Sequence, residues 1–165
     1  MEISEFYNLL GSVWPADGAA ARAAKARWDS LARPLGSLGL LEEAIIRIAA
    51  LTGSEEVHLG KRAAFVFCAD NGVVKEGVTQ TGPEVTAVVA ANLAKGDTSV
   101  CRMASVARCD VIPVDVGMLT PVDDERVLRR RIAAGTGNIA EGPAMTREDA
   151  LKAIIVGGEL VKEVK

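Results

Sequence analysis

Two short strings place a carboxylate at a glycine turn: Asp70-Asn71-Gly72 and Asp115-Val116-Gly117. Each stands at the end of an apolar run. Carboxylates so placed can hydrogen-bond a polar ligand. Asp70 either does this or caps its own turn. Asp115 either points to a site or pairs internally, because an unpaired carboxylate is costly to bury. A third string, Gly135-Thr136-Gly137-Asn138, either cradles a phosphate through backbone N–H groups or forms a plain tight turn. His58 is the only histidine and lies in a polar linker, so it reads as a surface residue, and no Ser-His-Asp triad is indicated. Cys68, Cys101 and Cys109 are odd in number and lack a CxxC pair, which argues against a disulfide framework or a zinc site.

The elements that must position these residues follow from periodicity and punctuation. Ala21, Ala24, Trp28 and Leu31 predict a helix over about residues 18–32, and Arg33-Pro34-Leu35-Gly36 breaks it. Ser37 is the expected cap of a second helix with Leu38, Leu41, Ile45, Ile48 and Ala49 on one face, stopped by Gly53. These helices form an expected N-terminal helical subdomain, residues 1–53. Residues 54–165 read as the first part of an α/β domain. Ala63 to Cys68 is a buried-strand pattern, and a functional loop runs from Ala69 to Gly82. Pro83 suits the first position of a helix ending at Gly96. Asp97 is the expected cap of the next helix. Val111 to Gly117 reads as a second strand, in which Pro113 argues for an edge or a bulge. A short strand is expected at Arg131–Ala133. Thr146 and Asp149 resemble a capping box opening a last helix, whose Gly157-Gly158 pair calls for close packing against another backbone.

If the two strands are parallel, all three strings lie along one sheet edge, where open α/β sheets bind ligands. The last helix has no strand to feed. Two or three strands leave an apolar edge and face, so a further C-terminal part, a second chain or an oligomer is expected.

Bulk properties narrow the class. The 165 residues are 49% hydrophobic with six aromatic residues (three Phe, two Trp, one Tyr), a palette of aliphatic side chains suited to a covered parallel sheet. The net charge of -3 with mixed signs argues against nucleic acid as a partner. Arg129-Arg130-Arg131 is the one dense basic run, either a solvated turn or an anion or partner contact. The acidic start lacks the pattern of a signal peptide, and no apolar run reaches a membrane-spanning length, so a cytoplasmic protein is expected.

Several strings converge on one family. Arg33-Pro34-Leu35-Gly36-Ser37-Leu38-Gly39 followed by Leu41-Glu42 resembles its KPPGSLGxLE motif. Ala69-Asp70-Asn71-Gly72-Val73 with Glu76-Gly77-Val78 resembles its ADHGV…EGV loop. Glu84-Val85-Thr86, Ala91-Asn92, Val114-Asp115-Val116-Gly117, Gly135-Thr136-Gly137-Asn138-Ile139-Ala140 and Pro143-Ala144-Met145-Thr146 match its EVT, AN, VDVG, GTxNIA and PAMT strings in order. The chain resembles the N-terminal half of nicotinate-nucleotide:dimethylbenzimidazole phosphoribosyltransferases.

The resemblance implies an α/β fold: a partial Rossmann-like parallel sheet flanked by helices, with the N-terminal helical subdomain, in a homodimer or joined to a separate C-terminal half. It implies that a ring nitrogen of a benzimidazole attacks the anomeric carbon of nicotinate mononucleotide. Nicotinate leaves and α-ribazole phosphate forms, with no metal or redox cofactor. The family's glutamate base falls beyond Lys165, so none of the present residues is expected to be catalytic. A general base is worth roughly 10²–10⁴-fold, so negligible turnover is expected of residues 1–165 alone. The substrate-binding residues implied are Asp70, Asn71, Gly72, Thr81, Val85, Val89, Asp115, Gly117, Gly135 and Asn138. Thr81 stands where other members place a Ser or Tyr contact, Val89 where some carry Gln, and Asn71 replaces the commoner His, so the acceptor base is open. A non-catalytic azole- or nucleotide-binding module is the alternative.

Overall fold

A computed structural model describes residues 3–164, arranged as six helices and a three-stranded parallel sheet. The chain divides into two compact units, with Asn8–Gly60 in one and the stretch from Lys61 onward in the other.

Helix α1 spans Ile3–Gly11, and none of its residues is buried. The spacing of Ile3, Phe6, Tyr7 and Leu10 carries its signal, which a reading of the N-terminus for a leader alone passes over. Helix α2, Gly18–Asp29, is capped by Asp17, whose carboxylate accepts from the N–H groups of Ala19 and Ala20. Helix α3, Leu40–Thr52, begins later than a Ser37 cap would place it. Gly39 stands at its N-cap with φ 51°, and the Ser37 hydroxyl instead accepts from the Arg33 guanidinium at 3.0 Å. Gly53 ends α3 in the left-handed region.

In this helical unit Arg33 is the organising cation. Its guanidinium lies 2.8 Å from the Glu42 carboxylate and 4.9 Å from the centre of the Trp28 ring. Glu42 is 5% exposed. The close contact is off-axis, so Arg33 Nη2 and Glu42 Oε2 make an ion pair but no in-line hydrogen bond.

In the second unit, β1 (Ala63–Ala69) pairs in parallel with β2 (Asp110–Gly117), and β2 with β3 (Leu128–Arg129). The third strand thus falls before the expected Arg131–Ala133. Because β3 meets only Val114 and Asp115 near the end of β2, a short loop suffices where a long parallel crossover would need a helix. Pro113 sits in the middle strand and not at an edge. The Asp115 carbonyl accepts from Arg130 N–H, so β2 residues two apart from it face the β3 side. Pro113 faces that side before β3 begins, and no ladder bond is lost. The bulge lies elsewhere: Cys68 pairs with Asp115 but Ala69 with Gly117.

Helix α4, Glu84–Lys95, follows Pro83 and stops at Gly96, φ 78°. Helix α5, Ser99–Val106, is capped by the Thr98 hydroxyl and not by Asp97, which instead pairs with Arg102 on the surface. These helices cover one sheet face, where Cys68, Ala90, Leu93, Met118 and Val127 form a cluster. Helix α6, Arg147–Val164, covers the other face through Val156 and Leu160, packed with Val114, Phe65 and Leu128. The Thr146 hydroxyl caps it, accepting from the Asp149 N–H at 3.1 Å and donating to the Asp149 carboxylate at 2.8 Å. Gly157, expected against a neighbouring backbone, has no atom near its Cβ position. Ile154 and Val161 beside it are 52% and 60% exposed. No helix among the described residues is long and apolar enough to cross a membrane.

Candidate functional site

Strands β1 and β2 end side by side, and Asp70 is the first residue past β1. Its N–H donates to the Gly117 carbonyl at 3.0 Å. Its carboxylate accepts from the Thr86 hydroxyl on α4 at 2.5 Å and from the Leu119 N–H at 2.7 Å. Its carbonyl accepts from Thr136 N–H at 3.0 Å. Four segments therefore converge on one buried residue, 4% exposed. Both carboxylate oxygens are committed to the protein, so Asp70 shapes the site from behind.

Asp115 is buried and turned inward. Its Oδ1 accepts from the N–H groups of Gly117 and Met118 at 3.0 and 2.8 Å. It borders a separate cavity of ≈ 450 Å³ with Asp123, Arg129 and Arg131. The basic run is divided among its own partners. Arg129 pairs with Asp123, Arg130 with Glu163, and Arg131 donates to the carbonyls of Met118 and Leu119.

The loop after β1 tightens into a 3-10 turn, Gly72–Glu76, which sequence periodicity does not show. Gly72 N–H donates to the Thr136 hydroxyl at 3.2 Å. A Cβ on Gly72 would stand 2.5 Å from the Gly137 carbonyl carbon, so only glycine fits. Asn138, 8% exposed, donates to the Glu76 carboxylate at 2.6 Å and accepts from Ala140 N–H. Gly135 has φ 73°, and its N–H donates to Gly117. Thr136 N–H goes to Asp70 and Gly137 N–H to Ala144. Those three amides are spent inside the protein, which leaves the Asn138 N–H as the one backbone donor of this string without a protein acceptor.

Two adjoining clefts share Asp70, Asn71, Val74 and Pro83. The first, ≈ 380 Å³, runs along β1 from Val66 and is walled by Val85, Val89 and Leu93 of α4 and by Thr81. The second, ≈ 360 Å³, lies between Lys75, Leu119 and Gly135–Asn138. Asn71, Thr81, Val85 and Val89 thus share the first cleft. Gly72, Gly135 and Asn138 line the second. Asp115 and Gly117 line neither; Gly117 serves the strand end. The side chains of Asn71 and Thr81 make no hydrogen bond among the described residues and remain available to a ligand. Thr86, Thr136 and Glu76 complete the framework. Their only sequence signal is membership of the matched strings.

Cys68 also borders the first cleft. Burial pushes its thiol above the ordinary range, and the Asp115 and Asp70 carboxylates add to the effect. His58 is exposed, 4.0 Å from Glu56.

Residues 13–165 match the phosphoribosyltransferase family DBI_PRT. A nicotinate-nucleotide–dimethylbenzimidazole phosphoribosyltransferase from Clostridium tetani is 41% identical over 154 residues, covering 93% of this chain and 42% of the relative. One from Acetivibrio thermocellus is 44% identical over 138 residues, covering 84% and 39%. The crystal structure of the like-named protein from Thermus thermophilus superposes with TM-score 0.82 at 38% identity, over 89% of this chain and 45% of that one. This chain spans less than half the length of the relatives it matches, and it aligns with their N-terminal part. With the strings, the sheet and the clefts in agreement, the chain belongs to the dimethylbenzimidazole phosphoribosyltransferase family.

Proposed function

We propose that the first cleft is the acceptor-base side of a site that transfers phosphoribose from nicotinate mononucleotide to a benzimidazole, giving α-ribazole phosphate. The supporting observation is its composition. Val85, Val89 and Leu93 offer an apolar wall for a flat carbocycle, while Asn71 and Thr81 keep free hydrogen-bonding groups for ring nitrogens. The hydrogen-bonded framework of Asp70, Thr86 and Leu119 fixes that wall. In this reading Gly72, Gly135 and Asn138 shape the adjoining cleft, and Asp115 and Gly117 act as supports.

The proton leaving the azole goes to a glutamate that has no counterpart in residues 1–165. The chain alone binds the base with negligible turnover and acts in the cytoplasm as a homodimer or with a separate C-terminal half. Calorimetry with 5,6-dimethylbenzimidazole tests the binding step. A single saturable site weakened by Val85→Asp supports the reading. Absence of binding at millimolar base, or rapid α-ribazole phosphate formation by residues 1–165, overturns it.

A further inference from the structure

Parallel pairing of β2 with β3 sets Asp115 and Arg129 side by side on one face of the sheet. Opposite charges so placed attract, yet no ion pair joins these two among the described residues. Arg129 turns instead to Asp123 at 2.8 Å. Asp115 gives its Oδ1 to the amides of Gly117 and Met118. Both residues line the ≈ 450 Å³ cavity, together with Pro121, Val122 and Arg131. That cavity shares no lining residue with either cleft.

The cavity has two poles. At one, Asp115 is 4% exposed, and its Oδ2 accepts no hydrogen bond among the described residues. That oxygen is not sealed in the core, so it opens on the cavity. A carboxylate buried to this degree calls for a donor at its second oxygen. At the other pole stand two guanidiniums. Arg131 is anchored by its bonds to the Met118 and Leu119 carbonyls, which fixes its charge beside the cavity. Arg129 pairs with Asp123, whose side chain is fully exposed, and a pair so open to water yields readily to another anion.

These poles select the ligand. A simple anion suits the guanidiniums but confronts the Asp115 carboxylate, and a simple cation meets the reverse difficulty. A molecule with an ammonium at one end and a carboxylate at the other satisfies both, through charge-assisted hydrogen bonds. Pro121 and Val122 offer contact to an apolar remainder. We infer that this cavity binds a small zwitterion, an α-amino acid with a short apolar side chain. Its ammonium donates to Asp115 Oδ2, and its carboxylate accepts from Arg129 and Arg131. The inference goes beyond the functional proposal and holds whichever ligand the first cleft takes.

The probe is L-valine, titrated by calorimetry into residues 1–165. One saturable site is expected, with a dissociation constant of about 1 mM. N-acetyl-L-valine lacks the ammonium and isobutylamine lacks the carboxylate, so each should bind at least about tenfold more weakly. Arg129→Gln should weaken valine by about tenfold. Arg126→Gln should not, because Arg126 pairs with Asp124 and does not line the cavity. Asp115→Asn keeps an acceptor for the Gly117 and Met118 amides but turns an NH2 toward the cavity, and should abolish binding. If that variant unfolds, the exposed Arg129 still decides the matter. Saturating 5,6-dimethylbenzimidazole should leave the valine affinity unchanged, which separates this site from the first cleft. Equal binding of N-acetyl-L-valine, undiminished affinity in Arg129→Gln, displacement of valine by the benzimidazole, or no saturable heat at tens of millimolar valine would overturn the inference.

Discussion

The Thr86 hydroxyl donates to the Asp70 carboxylate at 2.5 Å, joining the first turn of α4 to the end of β1 across sixteen residues. That bond sets the angle at which the Val85–Val89 wall stands beside the strand.

Removing the acceptor should cost more than removing the donor. Asp70→Ala leaves both the Thr86 hydroxyl and the Leu119 N–H unpaired, at about 2–4 kcal/mol. Thr86→Val keeps the shape and should cost about 1–2 kcal/mol. In Asp70→Asn the amide carbonyl can still accept from Leu119 while the Thr86 hydroxyl turns to accept, so the loss should fall between the two. Urea unfolding of the three variants and of the Asp70/Thr86 double variant checks the order.

Gly72→Ala should destabilise by about 1–3 kcal/mol through collision alone. The new Cβ meets the backbone of Gly137 and Asn138 at 2.5 and 2.7 Å, and neither is a flexible chain end. Gly77→Ala is the comparison. Its Cβ meets nothing, but φ is 69°, so the penalty there is conformational and should be near ~1 kcal/mol. Thermal unfolding distinguishes them.

Glu42→Ala strands the Arg33 cation in a buried site and should cost about 3–5 kcal/mol. An Arg33→Met, Glu42→Leu pair should recover most of that loss, because it removes both charges. Denaturant midpoints of the single and paired variants test this.

The Cys68 thiol titrates above its ordinary value in the folded protein, so folding is favoured while it stays protonated. Its contribution is complete below the unfolded value of 9.0 and is lost as pH rises through the higher folded value. Cys68→Ala should flatten the alkaline fall in stability above about pH 9. A thiol reagent at about pH 8 should label Cys109 before Cys68 in the folded chain. Equal labelling rates would contradict the burial assigned to Cys68.

Much of this fold was legible in the sequence where a local rule decided it. The apolar run Ala63–Cys68 marks β1, and Pro83 and Gly96 bracket α4. The rules fail where a rival residue stands nearby: Thr98 takes the cap expected of Asp97, and Gly39 takes the turn expected of Ser37. Strand β3 escapes because two residues carry no period. In the site, Asn71, Thr81, Val85 and Val89 come together along one cleft. What no local pattern could reveal was commitment. Asp70 and Asn138 have the chemistry of ligand contacts, yet partners 16, 49 and 62 residues away use it first.

Pro113 limits how far the β2–β3 pairing runs along the strands. Because Pro113 offers β3 no N–H donor, extending the pairing toward the beginning of β2 would leave one ladder bond unmade. Length changes in the exposed part of the connection, around Thr120 and Pro121, therefore leave the two-residue pairing in its register, while Met118, Leu119 and Val127 stay anchored.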